Sequence, residues 1–188
     1  ILFKMYKEYG IEIPKEIAGL MVSAIVSDTL LFKSPTCTQQ DIEAATELAR
    51  IAEIDVNSYG LEMLKAGTNL STKSEAELID LDAKSFPMGS YNMRIAQVNV
   101  VDEQELLARR EALEFSMKEA NATHGYDTFL LVVTNILTSV STGLVVGEAL
   151  DTVAKAFNTE YENGLLILPG VVSRKKQVVP PLTVAFEN

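Results

Sequence analysis

The chain has 188 residues, of which 47% are hydrophobic and 22% are charged. These proportions are typical of a folded globular protein and exclude an intrinsically disordered one. Its 16 basic and 26 acidic residues give a net charge of -10, which argues against nucleic acid and anionic membranes as partners.

The apolar stretches are far shorter than the roughly 20 residues that a membrane-spanning helix needs. The single cysteine, Cys37, has no partner for an intrachain disulfide, and no signal-peptide pattern opens the sequence. Both features favour a cytoplasmic location. The sequence starts at Ile1 inside an apolar helical pattern, and we interpret it as a fragment of a longer protein.

The first third of the chain is predicted to be helical. Pro14 precedes apolar residues at spacings of three and four, which indicates a buried helix that ends near Asp28. Thr38 and Asp41 have the spacing of a capping box at the start of a second helix. A shorter helical pattern follows and ends at Gly67.

A polar segment separates this helical part from the rest. The run Gly-Thr-Asn-Leu-Ser-Thr-Lys-Ser over residues 67–74 is typical of a loop. We therefore place an interdomain hinge at residues 69–73. Ser74 and Glu77 again have capping-box spacing, so regular structure is expected to resume directly after the hinge.

The second part mixes strand and helix patterns. Residues 94–101 are rich in Val and Ile and predict a strand. Asp102 and Glu105 have the spacing of a cap for one helix whose apolar stripe reaches Ala120. Residues 84–89 resemble a strand that leads into a turn.

Short apolar runs continue this pattern toward the C-terminus. They have the composition of buried strands and cover residues 129–134, 144–146 and 165–168. A helical pattern over residues 149–157 lies between two of them. The sequence thus predicts that the second part of the chain has an α/β fold.

Three consecutive cations, Arg174, Lys175 and Lys176, follow a glycine-containing run. Arginine offers a planar fork that matches two phosphate oxygens, and lysine offers a compact point charge, so the cluster suits a small polyanion. A solvated basic turn is the alternative interpretation, since such residues are mostly exposed. The residue types alone leave both interpretations open.

Other candidate residues are ambiguous when considered singly. Asp28 follows the predicted buried helix, where a carboxylate can bind a hard divalent cation or simply end the helix. His124 is the only histidine, so no imidazole cluster exists to hold zinc, and we expect it in an exposed loop. Lys84 has no role that its local sequence reveals.

Four motifs together resemble one known family. They are Ser27-Asp28-Thr29-Leu30-Leu31, Lys33-Ser34-Pro35-Thr36, Leu64-Lys65-Ala66-Gly67-Thr68 and Ser173-Arg174-Lys175-Lys176-Gln177. In combination they are similar to the family II inorganic pyrophosphatases of the DHH phosphoesterase superfamily. The resemblance spans essentially the whole chain.

The resemblance implies that the intact protein is an enzyme that hydrolyses pyrophosphate to two phosphates. It implies a two-metal mechanism with two or more manganese ions, for which magnesium or cobalt are substitutes. By position, Asp28 matches a metal ligand, and Lys84, Arg174 and Lys175 match the substrate-binding cations, with no catalytic residue beyond them. The family's other metal ligands, including its Asp-His-His signature, do not occur in this sequence, so we expect the fragment to be inactive alone.

The same resemblance implies a domain organisation. Residues 1–68 would be the helical tail of the metal-binding DHH domain, and residues 69–73 would be the hinge. Residues 74–188 would be the complete DHH-associated C-terminal domain that binds substrate, an α/β domain with a mixed sheet flanked by helices. The intact protein is expected to be a cytoplasmic homodimer. The alternatives are a short-chain exopolyphosphatase of the same superfamily and a non-catalytic anion-binding module.

Overall fold

A computed structural model describes residues 1–68 and 70–187 of the chain. Asn69, which belongs to the hinge expected from the sequence, and Asn188 lie outside the described residues. The chain divides into two compact units, Ile1–Gly67 and Thr68–Asn188. Each unit contains its own cluster or clusters of buried apolar side chains.

The first unit is helical. Its helices are α1 (Leu2–Glu8), α2 (Lys15–Thr29), α3 (Gln39–Ala52) and α4 (Val56–Gly67). In α2, the residues Ala18, Val22 and Val26 recur every four positions and therefore share one face of the helix. All three are fully buried and pack in one cluster with Leu48 of α3. The predicted helices of this part of the chain are confirmed.

Both predicted capping boxes are present. The Thr38 backbone N–H donates to Asp41 Oδ2 at 2.8 Å, and the Thr38 side chain accepts from the Asp41 N–H. Hydrogen bonds that Thr38 donates to the Asp41 carboxylate lower the pKa of Asp41. The bond from the Thr38 side chain has the larger effect, and the bond from its backbone N–H has the smaller one. Ser74 and Glu77 repeat this arrangement at the start of helix α5 (Glu75–Asp80). These local contacts satisfy N–H groups that a helix terminus otherwise leaves unpaired.

The described residues of the second unit form a six-stranded mixed sheet. Its strands are β1 (Ala83–Met88), β2 (Tyr91–Val100), β3 (Thr128–Asn135), β4 (Val140–Gly147), β5 (Tyr161–Glu162) and β6 (Leu165–Pro169). Their order in the sheet is β1-β2-β3-β4-β6-β5. Strands β2 and β3 are parallel, and the other neighbouring pairs are antiparallel. The predicted α/β fold with a mixed sheet is confirmed.

Helices cover both faces of this sheet. The remaining helices are α6 (Gln104–Leu107), α7 (Arg110–His124), α8 (Leu150–Ala156), a π-helix (Arg174–Val178) and α9 (Val179–Glu187). Leu78 of α5 and Met117 of α7 pack on one face, while Val153 of α8 and Leu182 of α9 pack on the other. Residues 128–134 of β3 are consequently all buried, because neither face of a central strand meets solvent.

The prediction of one helix after β2 is wrong, because the segment forms two helices, α6 and α7. The N-cap residue of α6 is Glu103, and Asp102 precedes it; the Oδ1 of Asp102 accepts from the N–H of Gln104, the first residue of α6, at 2.9 Å. At the break, Arg109 Nη2 donates to the Lys73 carbonyl at 2.7 Å and Nε donates to Glu75 Oε1 at 2.9 Å. These long-range bonds tie the break to the start of α5, which no local pattern indicates.

His124 is exposed, as expected, but it is the last residue of α7 and does not lie in a loop. Gly125 then ends the helix in the left-handed conformation with a φ of 69°, which is a common way for a helix to end. The loop therefore starts at Gly125, one residue after His124. None of the described helices is both long and apolar enough to cross a membrane.

Candidate functional site

Lys84 lies on strand β1, on the face of the sheet that carries the π-helix and α9. Side chains alternate between the two faces of a strand, so Lys84, Phe86 and Met88 share one face. Phe86 and Met88 pack in the same apolar cluster as Val178 and Leu182. The Lys84 side chain itself is exposed.

The basic segment Arg174–Val178 forms a π-helix that continues directly into α9. Arg174 is only 8% exposed, whereas Lys175 and Lys176 are exposed. The solvated basic turn considered from the sequence is therefore not what this segment forms. π-helical turns are rare and are frequent at functional sites.

The guanidinium of Arg174 contacts the start of β1, the strand that carries Lys84, and the neighbouring strand β2. Its Nη1 donates to the carbonyl of Asp82 and, at 3.5 Å, to the carbonyl of Ile95. Its Nη2 donates to Asp82 Oδ1 at 2.9 Å. Asp82 lies two residues before Lys84, and Ile95 is the cross-strand partner of Lys84. The Arg174 guanidinium thus contacts the backbone close to Lys84, and Lys175 follows Arg174 in the chain.

Gln97 of β2 holds the segment that leads into the π-helix. Its Oε1 accepts from the Arg174 backbone N–H at 3.0 Å. Its Nε2 donates to the Val172 carbonyl at 3.1 Å and to Thr134 Oγ1 at 2.8 Å. Because both ends of the amide are used, the starting point of the Arg174 side chain is fixed relative to the sheet.

Gln177 holds the same segment from within the π-helix. Its Oε1 accepts from the backbone N–H groups of Val172 at 3.0 Å and Ser173 at 3.1 Å. Its Nε2 donates to the Gly170 carbonyl at 2.7 Å. The last residue of the Ser-Arg-Lys-Lys-Gln motif therefore shapes the loop that presents the cations.

Sequence reasoning did not identify Asp82 or Gln97 as part of this site. Gln97 had a detectable signal, because it is a polar residue inside the Val- and Ile-rich strand pattern of β2. Asp82 had none, since an exposed Asp before a strand is common in turns.

The lysines of the site have no side-chain partner in the part of the chain that the structure describes. Within residues 1–68 and 70–187, the structure gives the side chains of Lys84, Lys175 and Lys176 no hydrogen bond or ion pair. An exposed ammonium offers three donors and a full positive charge. Such a set of cations beside a fixed guanidinium can bind the oxygens of a small anion.

Asp28 lies in the other unit, in the last turn of α2, with an exposed side chain. Three consecutive residues after it, Leu30, Leu31 and Phe32, have positive φ values of 48°, 52° and 67°. Thr29 braces this turn, because its Oγ1 donates to the Ile25 carbonyl at 2.7 Å and accepts from the Phe32 N–H at 3.2 Å. Each left-handed residue costs about 1–2 kcal/mol, and such strain is concentrated at functional sites.

The described residues do not by themselves fit a manganese centre. No group of three or more His, Cys, Asp or Glu side chains that could hold a metal ion occurs in the part of the chain that the structure describes. Manganese prefers several carboxylate, carbonyl or water oxygens, and Asp28 supplies one carboxylate.

A six-stranded mixed sheet with helices on both faces, and with a buried arginine hydrogen-bonded beside the strand that carries Lys84, defines an α/β domain. The family model described as the DHHA2 domain matches residues 61–185, which is more than half of the chain. The chain therefore belongs to the DHHA2 domain family.

The chain is similar over nearly its whole length to named relatives. It is 58% identical over 186 residues to a probable manganese-dependent inorganic pyrophosphatase of Enterococcus faecalis, and 59% identical over 189 residues to one of Lactobacillus gasseri. These matches cover 99% and 100% of this chain but only 60% and 61% of the relatives.

The chain is also similar to a solved structure of the same family. The chain matches the crystal structure of a Methanococcus jannaschii protein assigned to the family II inorganic pyrophosphatases, with a TM-score of 0.83 and 40% identity. The match covers 94% of this chain and 58% of that one. The family resemblance inferred from the four sequence motifs is confirmed.

Proposed function

We propose that the intact protein hydrolyses pyrophosphate to two phosphates with manganese, and that this chain supplies the cations that hold the substrate. In this proposal Lys84, Arg174 and Lys175 bind the phosphoryl oxygens. The observation that supports it is the placement of a fixed guanidinium beside exposed lysines that have no partner among the described residues.

Electrostatics makes this cluster suitable for a small, highly charged anion. The chain carries a net charge of -10, so a long polyanion would meet repulsion over most of the surface. A compact anion can instead contact the local cations alone. Arginine forms paired hydrogen bonds with two phosphoryl oxygens, and lysines neutralise the charge that develops on them during phosphoryl transfer.

Asp28 is proposed as one ligand of the manganese ions. Its carboxylate is exposed at the end of a buried helix, and the braced, strained turn after it supports a role beyond ending the helix. Manganese would supply the activated water that attacks phosphorus. The described residues of this chain do not define how the metal would take part in the reaction.

The organisation of the intact protein is part of the same proposal. We assign residues 1–68 to the tail of the DHH domain, residues 69–73 to a hinge and residues 74–188 to the substrate-binding domain. A cytoplasmic homodimer without nucleic-acid or membrane partners is also proposed, supported by the resemblance and by the net charge.

Replacement of the substrate-binding cations tests the proposal. We expect the 188-residue chain to bind imidodiphosphate, a non-hydrolysable analogue of pyrophosphate, and the double variant Arg174→Ala with Lys175→Ala to bind it at least about tenfold more weakly, because each charged hydrogen bond contributes about 1.5–3 kcal/mol. Titration calorimetry measures both affinities.

Two further double variants make this result specific. Lys84→Ala with Lys175→Ala removes only exposed side chains, so a loss of affinity there is not caused by misfolding. Lys118→Ala with Lys155→Ala removes the same charge from exposed positions on α7 and α8 and should leave affinity unchanged. Equal affinities in all variants, or no binding by the unmodified chain, would favour an interaction module over a substrate-binding domain.

The chain alone is expected not to hydrolyse pyrophosphate. Asp28 is the only residue that the resemblance assigns to the metal, and one carboxylate is too few ligands for a pair of ions. Phosphate release from pyrophosphate is measured with purified chain and added Mn²⁺. Turnover at about 1 s⁻¹ or faster, the range of ordinary enzymes, would contradict this expectation.

A further inference from the structure

One residue holds the guanidinium of Arg174 through two different groups. Nη1 donates to the backbone carbonyl of Asp82, and Nη2 donates to its carboxylate at 2.9 Å. The longer bond of Nη1 to the Ile95 carbonyl, at 3.5 Å, adds a second backbone acceptor. Together these contacts occupy the end of the guanidinium formed by Nη1 and Nη2.

The same contacts leave one side of the guanidinium free. Arginine has five N–H donors in a planar arrangement. For Arg174, the Nε–H and the second N–H of Nη2 have no acceptor among the described residues. These two N–H bonds point in the same direction, which is the geometry that matches two oxygens of one phosphoryl group.

The backbone of Asp82 suits this role. Asp82 has a positive φ of 46°, a conformation that Gly, Asn and Asp adopt more readily than other residues. In this conformation its carbonyl and its carboxylate both reach the same guanidinium. The Arg174 side chain of this ion pair is 9% exposed and that of Asp82 is 63% exposed, so Asp82 is the counter-ion of a buried cation.

We propose that Asp82 is a positioning residue for Arg174. It binds the Nη1 and Nη2 end of the guanidinium and thereby orients the Nε and Nη2 side toward a phosphoryl group. Asp82 does not contact the anion; it acts through Arg174. The identity of the anion rests on the proposed function, whereas the orientation of Arg174 can be measured without any ligand.

Two variants of Asp82 separate this role from a simple charge effect. Asp82→Asn and Asp82→Gly both lose the negative charge and both tolerate the positive φ. Only Asn keeps a side-chain oxygen that can accept from Nη2. We expect Asp82→Gly to weaken imidodiphosphate binding to the 188-residue chain about tenfold, and Asp82→Asn to stay within about threefold of the unmodified chain.

The opposite outcomes would overturn the proposal. Tighter binding by both variants would show that Asp82 acts only by repelling the anion, and unchanged binding by Asp82→Gly would show that it does nothing for Arg174. Asp80→Asn is the matched control, because Asp80 pairs with Arg94 Nη2 and β2 alternation places Arg94 on the other face of the sheet. We expect this control to bind like the unmodified chain.

A measurement without ligand keeps the two proposals distinguishable. In ¹⁵N-labelled chain, the side-chain N–H resonances of Arg174 are assigned by their loss in Arg174→Lys. Asp82 Oδ1 accepts from Nη2, so we expect exchange of the Nη2–H protons with water to be faster in Asp82→Gly than in the unmodified chain, Asp82→Asn and Asp80→Asn. Failure of the unmodified chain to bind imidodiphosphate would refute the proposed function, whereas unchanged Nη2–H exchange in Asp82→Gly would refute the positioning role.

Discussion

Replacement of Gly147 by alanine is expected to lower the free energy of unfolding of the second unit by about 3 kcal/mol or more. Gly147 ends strand β4 with a φ of 115°, which lies in a region that side chains essentially exclude. A Cβ at this position would lie 2.2 Å from the Asp127 carbonyl oxygen and 3.0 Å from Thr128 Cα. Both neighbours are backbone atoms and cannot rotate away. Urea denaturation followed by circular dichroism measures the change.

Gly125→Ala is the matched control for this prediction. Gly125 also has a positive φ, 69°, but a Cβ there would meet nothing within 4 Å. Its cost is limited to the left-handed conformation, about 1–2 kcal/mol. If both alanine variants are destabilised equally, close backbone approach is not the reason why Gly147 is required.

Gln177→Ala is expected to lower the free energy of unfolding by about 2–3 kcal/mol and to loosen the loop before the π-helix. The substitution removes three hydrogen bonds and leaves the backbone N–H groups of Val172 and Ser173 without an acceptor. Val172 is buried, and an unsatisfied buried polar group costs about 1–3 kcal/mol. Thermal denaturation measures the stability, and amide hydrogen exchange of Val172 and Ser173 measures the loop.

Two other variants define the cause of that effect. Gln177→Glu keeps an oxygen for the two N–H groups but cannot donate to the Gly170 carbonyl, so we expect an intermediate loss of stability. Lys176→Ala changes the adjacent exposed side chain and should alter stability by less than about 0.5 kcal/mol. Unchanged amide exchange in Gln177→Ala would disprove the bracing role of Gln177.

The candidate site was only partly predictable. The cationic motif was visible in the sequence, but residue types alone favoured a solvated turn. Lys84 had no local signal, and only the family resemblance assigned it to the site. The contacts of Arg174 with Asp82 span 92 residues, a separation over which helix and strand periodicities carry no information.

What the sequence determined by itself is the set of elements that depend on near neighbours. Apolar spacing in α2 and the capping boxes at Thr38 and Ser74 act within three or four residues, so they could be predicted from the chain alone. The tertiary structure alone decided the break before α7, the burial of Arg174 and the shared face of Lys84 and the π-helix. Each of these depends on hydrogen bonds or sheet register between distant segments, which form only when the whole domain packs.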